Sequence, residues 1–192
     1  MSQDDPKTDL AEGGIALAGG VLVVVGSVLN WAKVAVDMAG VGSTKASFSG
    51  MDLRDGKATL AIGALVIAAA LAGMLVKRGP VRIGPVIVEI AGGGTAAALG
   101  VMTASGINAS ALDALVKASG QAAGPAAVAA REILAESAAV NAGWGLYLVI
   151  LGGGVALMGG VVAAIALRNA TRRPGTVDGT EEPEAAREGE SA

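Results

Sequence analysis

Glu89 is the side chain with the clearest capacity for chemistry, because it is the one ionisable residue in a long apolar stretch, residues 83–112. A charged group at such a position costs on the order of 3 kcal/mol to insert into a bilayer, so intramembrane acids usually face a bundle interior or a water-filled cavity. Glu89 could bind a proton, a cation or a ligand, or it could be a protonated or hydrogen-bonded carboxyl that fixes helix packing. Arg82, seven residues earlier on the same helix face, is the basic side chain best placed to approach it.

Asp52 and Asp55 are two carboxylates that could contribute to a calcium site. Calcium takes about six to eight oxygen ligands, and the neighbouring Arg54 and Lys57 oppose a bound cation. We therefore expect no metal at this position and interpret Asp55 as the N-cap of a helix.

Two glycine runs, 92–94 and 152–154, have the composition of a phosphate-binding loop. They lie inside apolar stretches, without a preceding strand or a following Gly-Lys-Ser sequence, so nucleotide binding is not expected. Small residues spaced four apart instead allow two helices to approach closely. The sequence predicts a group of helix-packing positions at Gly92, Ala96, Gly100, Gly152 and Gly159.

The composition removes whole classes of catalytic site. The chain contains no cysteine and no histidine, so disulfides, thiolate nucleophiles, histidine general bases and His-ligated metals are excluded. The remaining carboxylate, hydroxyl and amine side chains form no converging set. We predict a protein that is not an enzyme, with no catalytic residue, cofactor or metal. The net charge of -3 gives no sign of a nucleic-acid-binding face.

Four long apolar stretches must position these residues. Each is long enough for a bilayer crossing, which needs about 20 apolar residues in a helix. The sequence therefore predicts an all-α membrane protein with four transmembrane helices at about 13–31, 58–77, 84–104 and 144–167. The first stretch resembles a signal peptide, but its acidic flank, its length and the missing cleavage site favour a retained helix. The flanking tails, 1–9 and 169–192, are acidic, and the second is expected to be disordered.

Basic residues at the helix ends predict the orientation. The connection 77–82 and the exit of the last helix, 168–173, each hold three basic residues and no acid, which is typical of cytoplasmic segments. The proposed outer segments carry six basic residues, but these are spread over long segments and mixed with acids: Lys33, Lys45, Arg54, Lys57, Lys117 and Arg131. We predict a multi-pass plasma-membrane protein with both termini in the cytoplasm. Its expected aromatic anchors at the outer interface are Trp31, Trp144 and Tyr147.

The two outer loops have enough pattern to form a cap. Short alternating segments around a Gly-rich turn predict a small β-hairpin within 32–56. The second loop predicts two short helices, one over 109–118 and one from Gly124-Pro125 to about residue 139. The apolar face expected for the second of these helices consists of Ala126, Ala130, Ile133, Leu134, Ser137 and Ala138.

Three short motifs carry a family resemblance. They are Trp31-x-x-Val34, Asp55-Gly-Lys-x-x-Leu60-x-x-Gly63 and Gly143-Trp144-Gly145-Leu146-Tyr147. In these motifs the chain resembles uncharacterised four-span membrane proteins of actinobacteria, including the tryptophan-operon-associated membrane protein family. The resemblance implies a four-span fold and brings no activity, cofactor or partner with it. The layout is also similar to claudin-like tetraspans, but the paired cysteines of their first loop are absent here.

Two functions fit these features. The first is an accessory or scaffold protein that sits in the lipid bilayer and binds other membrane or envelope components through glycine-lined helices and structured loops. Association with other membrane proteins or self-association is expected of the chain. The second is an oligomeric channel or transporter subunit for a small solute or ion, with Glu89 on the path.

Overall fold

Four long helices form the body of the protein, and a small sheet with two short helices covers one end of it. The computed structural model describes residues 6–38, 42–75, 83–120 and 124–172. The helices of the body are α1 (Pro6–Val28), α2 (Arg54–Leu75), α3 (Ile83–Ser105) and α6 (Trp144–Arg172). The cap contains strands β1 (Asn30–Met38), β2 (Gly42–Ser49) and β3 (Ala138–Ala142), a short 3₁₀ turn (Gly50–Asp52), and helices α4 (Ile107–Ala118) and α5 (Pro125–Ser137).

The long helices pack as a ring of antiparallel neighbours in the order α1, α2, α3, α6. In the α1–α6 pair, Gly26 lies beside Gly145 at one end and Ala16 lies beside Gly159 at the other. The helices of the other three neighbouring pairs are also antiparallel. Because the direction alternates around the ring, both long connections leave the bundle at the same end. The cap therefore sits at one end, and residues Pro6 and Arg172 lie toward the other.

Three of these helices are long and apolar enough to cross a membrane: Asp55–Leu75, Ile83–Ser105 and Trp144–Asn169, with mean hydropathy of 2.3, 1.6 and 2.4. The apolar part of α1, Gly13–Val28, is shorter. Large apolar side chains point outward along α2, α3 and α6, where a water-soluble bundle would carry polar residues. They include Leu65, Leu71, Leu75, Ile87, Val101, Met102, Leu151, Met158 and Ile165. This surface is compatible with a membrane protein.

The helix bounds differ from the sequence-based ones mainly at α1 and α6. Helix α1 begins at Pro6 and ends at Val28, because the chain turns directly into strand β1 and takes Trp31 with it. Helix α6 continues five residues past the predicted end at 167, to Arg172. The basic connection 77–82 and the acidic tail beyond Arg172 lie outside the described residues.

The sheet has the strand order β2-β1-β3, and both strand pairs are antiparallel. In its central row, Val34 lies between Ala46 of β2 and Val140 of β3. The β1–β2 hairpin predicted in the first outer loop is present. Strand β3 was not predicted, because three of its five residues are alanine, which favours a helix, and Val140 is the one β-branched residue in its sequence Ala-Ala-Val-Asn-Ala. Pairing with β1 imposes the extended conformation.

The inner face of the sheet packs on α4, α5 and the start of α6. The buried cluster here consists of Trp31, Ala32, Val34, Val36, Leu53, Ile107, Ala111, Leu146 and Val149. Arg131 of α5 joins Asp113 of α4 through a 2.7 Å ion pair at the surface. The buried side of α5 contains Ala127, with Leu134 partly buried, whereas Ile133, expected on the apolar face, is 68% exposed. Four of the six residues of the predicted face are partly buried, so the face is confirmed in part, and Ala126 and Ile133 are exposed: the four are Ala130, Leu134, Ser137 and Ala138.

Candidate functional site

Glu89 lies in the second turn of α3, near the end of the bundle opposite the cap, and is 4% exposed. All four long helices contribute to the small cavity beside it. Its lining residues are Gly13, Ala70, Gly73, Met74, Pro85, Val86, Glu89 and Ala163. The volume of this cavity is about 10 Å³, which is near the minimum that one water molecule needs.

This geometry limits what Glu89 can do inside a single chain. A cavity with room for at most one water is a pocket and not a continuous path through the bundle. Glu89 also has an interaction partner in the structure. The basic residue expected near it, Arg82, lies outside the described residues. A buried, partnered carboxyl between four helices matches the packing role at least as well as a transport role.

The predicted helix-packing residues lie at contacts within the chain. A Cβ atom at position 92 would lie 2.6 Å from Cγ2 of Val66 on α2, and one at position 100 would lie 2.7 Å from Cγ1 of Ile150 on α6. Ala96, between them on α3, is fully buried. These three residues therefore fill an interface inside the protomer and offer no free surface to a second protein.

Helix α6 carries two glycine rows, each with a seven-residue spacing. Gly145, Gly152 and Gly159 face α1, where a Cβ atom at 152 would lie 2.7 Å from Cβ of Leu22 and one at 159 would lie 2.8 Å from the amide nitrogen of Ala16. Gly153 and Gly160 face α3. The backbones approach so closely that a methyl group does not fit, which allows extensive van der Waals contact between apolar helices.

Two polar contacts join the helices near the cap. The hydroxyl groups of Ser27 and Thr59, both fully buried, lie 2.9 Å apart and link α1 to α2. Thr103 near the end of α3 donates a 3.0 Å hydrogen bond to Oδ2 of Asp55 in the first turn of α2. Asp55 was expected to cap α2, but the helix begins one residue earlier, at Arg54, and the carboxylate joins two helices instead.

Of the three predicted aromatic anchors, two are exposed and one is not. Trp144 and Tyr147, in the first turn of α6, are 77% and 50% exposed and make an edge-to-face contact with centroids 6.2 Å apart. Trp31 is fully buried, and its indole N–H donates a 2.8 Å hydrogen bond to the carbonyl of Gly26. The prediction for Trp31 is corrected: it lies in β1, after α1 has ended, and its ring is part of the protein interior.

The outer face of the sheet presents a polar groove that the sequence reasoning did not identify. Its volume is about 320 Å³, and its lining residues are Lys33, Val34, Ala35, Lys45, Ala46, Ser47 and Asn141. We call this the sheet groove. The sequence did carry a signal for this groove. Successive side chains of a strand point to opposite faces, so Lys33 lies on the other face of β1 from the buried Val34. The register that brings Lys45 and Asn141 beside it depends on pairing that the sequence alone does not specify.

No metal site forms from the acidic residues that the structure describes. Asp52 accepts hydrogen bonds of 2.8 Å from both the hydroxyl and the backbone N–H of Ser49. The hydroxyl bond and then the backbone bond hold the pKa of Asp52 below its ordinary value of 3.8, because both favour the charged carboxylate. Asp52 and Asp55 are thus occupied by structural contacts.

No protein-family model matches the chain, and no curated protein matches it. The resemblance to the tryptophan-operon-associated membrane proteins therefore stays a prediction, and function has to be inferred from the geometry of the chain.

Proposed function

We propose that the protein is a non-enzymatic accessory or scaffold protein of the plasma membrane. In this proposal all four long helices cross the bilayer, both termini lie in the cytoplasm, and the cap outside binds another membrane or envelope component. The observation that carries it is the construction of the cap. A shared buried cluster joins the three strands and two short helices to the outer ends of the bundle.

Direct bonds also fix the cap to the bundle. Trp31 of β1 bonds to Gly26 of α1, and the N–H of Gly143, which precedes α6, donates a 2.6 Å hydrogen bond to the carbonyl of Trp31. A cap held this way is a pre-formed surface, and pre-formed surfaces bind partners without the entropic loss of ordering a loop.

The crossing of α1 is inferred from its neighbours. Its apolar part has 16 residues between Gly13 and Val28, or about 24 Å of helix. It lies against α6 from Ala16 to Gly26. A helix that packs along the most apolar of the candidate spans occupies the same layer, and a modest local thinning of the bilayer accommodates its shorter apolar length.

The surface for a partner is assigned to the cap. The glycine faces are used within the chain, whereas α5 exposes two large apolar side chains, Val128 at 64% and Ile133 at 68%. In the proposed placement α5 faces water, and a partner that packs on this helix would remove these apolar side chains from water.

Affinity purification of the tagged protein in mild detergent, with native mass measurement, tests this function. We expect a specific heteromeric partner that is lost from a Val128→Ser/Ile133→Ser variant and retained by an Ala129→Ser control, an exposed neighbour on the same helix. A stable homo-oligomer with no other component would contradict the scaffold function.

The channel function is the second candidate, and the burial of Glu89 among four helices favours it. The cavity of about 10 Å³ disfavours a path within one chain, so a channel would need several copies. Ion flux into liposomes that contain the wild type or Glu89→Gln separates the two functions. Flux that the substitution abolishes would support the channel, and no flux, or equal flux, would remove this role from Glu89.

A further inference from the structure

We propose that the sheet groove binds the phosphate group of an anionic phospholipid headgroup through Lys33 and Lys45. The groove lies on the face of the sheet that points away from the buried cluster. In one row across the strands, Lys33 stands between Ser47 of β2 and Asn141 of β3. In the next row, Lys45 stands opposite Ala35.

The two lysines are diagonal neighbours on adjacent antiparallel strands. Side chains in this relation have Cβ atoms up to about 7–8 Å apart, so two long flexible amines can converge on one anion. Among the side chains that the structure describes, neither amine takes part in a salt bridge. In the register of β1 and β2, Asp37 pairs with Ser43, two positions beyond the Ala35–Lys45 pair.

The groups in the groove match a phosphate. Two ammonium ions supply charge, and the Ser47 hydroxyl and Asn141 amide supply further donors beside Lys33. Lysine recognises phosphate as a point charge and does not require the fixed geometry of arginine. A volume of about 320 Å³ is at the lower end of small-ligand sites and suits a headgroup.

The position of the groove selects a lipid as the source of that phosphate. Lys33 lies three residues beyond the start of β1 at Asn30, and Asn141 lies three residues before Trp144 at the start of α6. Three extended residues span at most about 10 Å, so the groove lies at or just beyond a headgroup layer about 5–8 Å thick, and long lysine side chains can extend into that layer. The exposed ring of Trp144 is the kind of side chain that marks the interface level. This step rests on the membrane placement proposed above.

The test measures lipid binding to the purified full-length protein in neutral detergent by native mass spectrometry. The probes are phosphatidylglycerol and phosphatidylcholine of equal chain length. We expect the wild type to prefer phosphatidylglycerol and the Lys33→Gln/Lys45→Gln variant to bind it roughly ten- to thirty-fold more weakly. A Lys117→Gln variant is the matched control, since Lys117 is an exposed lysine of the cap on α4, outside the groove. Its affinity is expected to equal that of the wild type.

Three results would overturn the site: equal affinity for the two lipids, unchanged binding in the double variant, or an equal loss in the control. Displacement of the lipid by millimolar inorganic phosphate would show that the groove takes free phosphate, which also contradicts a headgroup site. A separate Lys117→Cys variant reports which side of the membrane the cap occupies through labelling of intact cells. Labelling that fails while lipid binding depends on the groove would overturn the placement and leave the groove as an anion site. Successful labelling, with lipid binding that does not depend on the groove lysines, would overturn the groove alone.

Discussion

The indole nitrogen of Trp31 lies 2.8 Å from the carbonyl oxygen of Gly26 and connects the first strand of the cap to the last turn of α1. Carbonyl groups in the last turn of a helix lack a partner within the helix, and a buried one that stays unpaired is costly. Trp31→Phe keeps an aromatic ring and removes the donor. We expect it to lower the free energy of unfolding in detergent by about 1–3 kcal/mol, measured by denaturant titration.

Trp144→Phe provides the control for that experiment, because Trp144 is exposed and contacts Tyr147 at the surface. Its effect on stability is expected to stay within about 0.5 kcal/mol. Equal losses from the two substitutions would contradict the buried position of Trp31.

Gly152 and Gly154 provide a matched test of the helix packing. A Cβ atom at Gly152 would lie 2.7 Å from Cβ of Leu22 and 2.8 Å from the carbonyl of Gly19, whereas one at Gly154 meets no atom within 4 Å. We expect Gly152→Val to destabilise the protein by at least about 1–3 kcal/mol, since α1 must move away from α6. Gly154→Val is expected to leave the melting temperature in detergent nearly unchanged. If both variants melt alike, the close α1–α6 contact is wrong.

The Ser27–Thr59 hydrogen bond is expected to contribute a small coupling energy between α1 and α2. Such bonds between helices in membrane proteins average about 0.6 kcal/mol, and the hydroxyl that donates to the other gives up its bond to a carbonyl of its own helix, that of Val23 for Ser27 or of Gly56 for Thr59. A double-mutant cycle with Ser27→Ala and Thr59→Val should return a coupling of about 0.5–1 kcal/mol. Additive effects of the two substitutions would show that the hydroxyls do not interact.

The lowered pKa of Asp52 predicts a pH dependence of cap stability. Because its pKa in the folded protein is below 3.8, the contribution of Asp52 is fully present above about pH 4 and is lost as the pH falls through the folded value. The wild type should therefore melt at a higher temperature than Asp52→Asn near neutral pH, and the difference should shrink as the pH falls below about 4. A difference that is constant with pH would mean that the charge of Asp52 does not act through Ser49.

The helices and the hairpin could be predicted from the sequence because their signals are local. Long apolar stretches indicate α2, α3 and α6, and the Gly-Pro pair at 124–125 indicates the start of α5. Strand β3 could not be predicted in this way. Its residues become a strand only because Val140 and Ala142 lie beside Val34 and Ala32 of β1, more than 100 residues earlier in the chain.

The candidate sites also divide into features with a local signal in the sequence and features that depend on tertiary structure. Glu89 was identified from sequence because one acid in an apolar stretch is a local anomaly, and its small cavity is a property of four helices together. The sheet groove was missed because Lys33, Lys45 and Asn141 become neighbours only through strand register. Trp31 was placed wrongly because the end of α1 is set by the turn into β1, and no residue in the sequence marks that end.

In the proposed placement, four helices cross the membrane and hold the cap outside. Because the chain contains no cysteine, single cysteines introduced at Ser2, Ser119 and Ser191 can be labelled without background by a membrane-impermeant maleimide. We predict that Ser119→Cys, at the end of α4 in the cap, reacts in intact cells, whereas Ser2→Cys and Ser191→Cys react only after permeabilisation. Labelling of both Ser2→Cys and Ser119→Cys in intact cells, with Ser191→Cys protected, would mean that α1 does not cross. Labelling of Ser191→Cys there, with Ser119→Cys protected, would reverse the orientation.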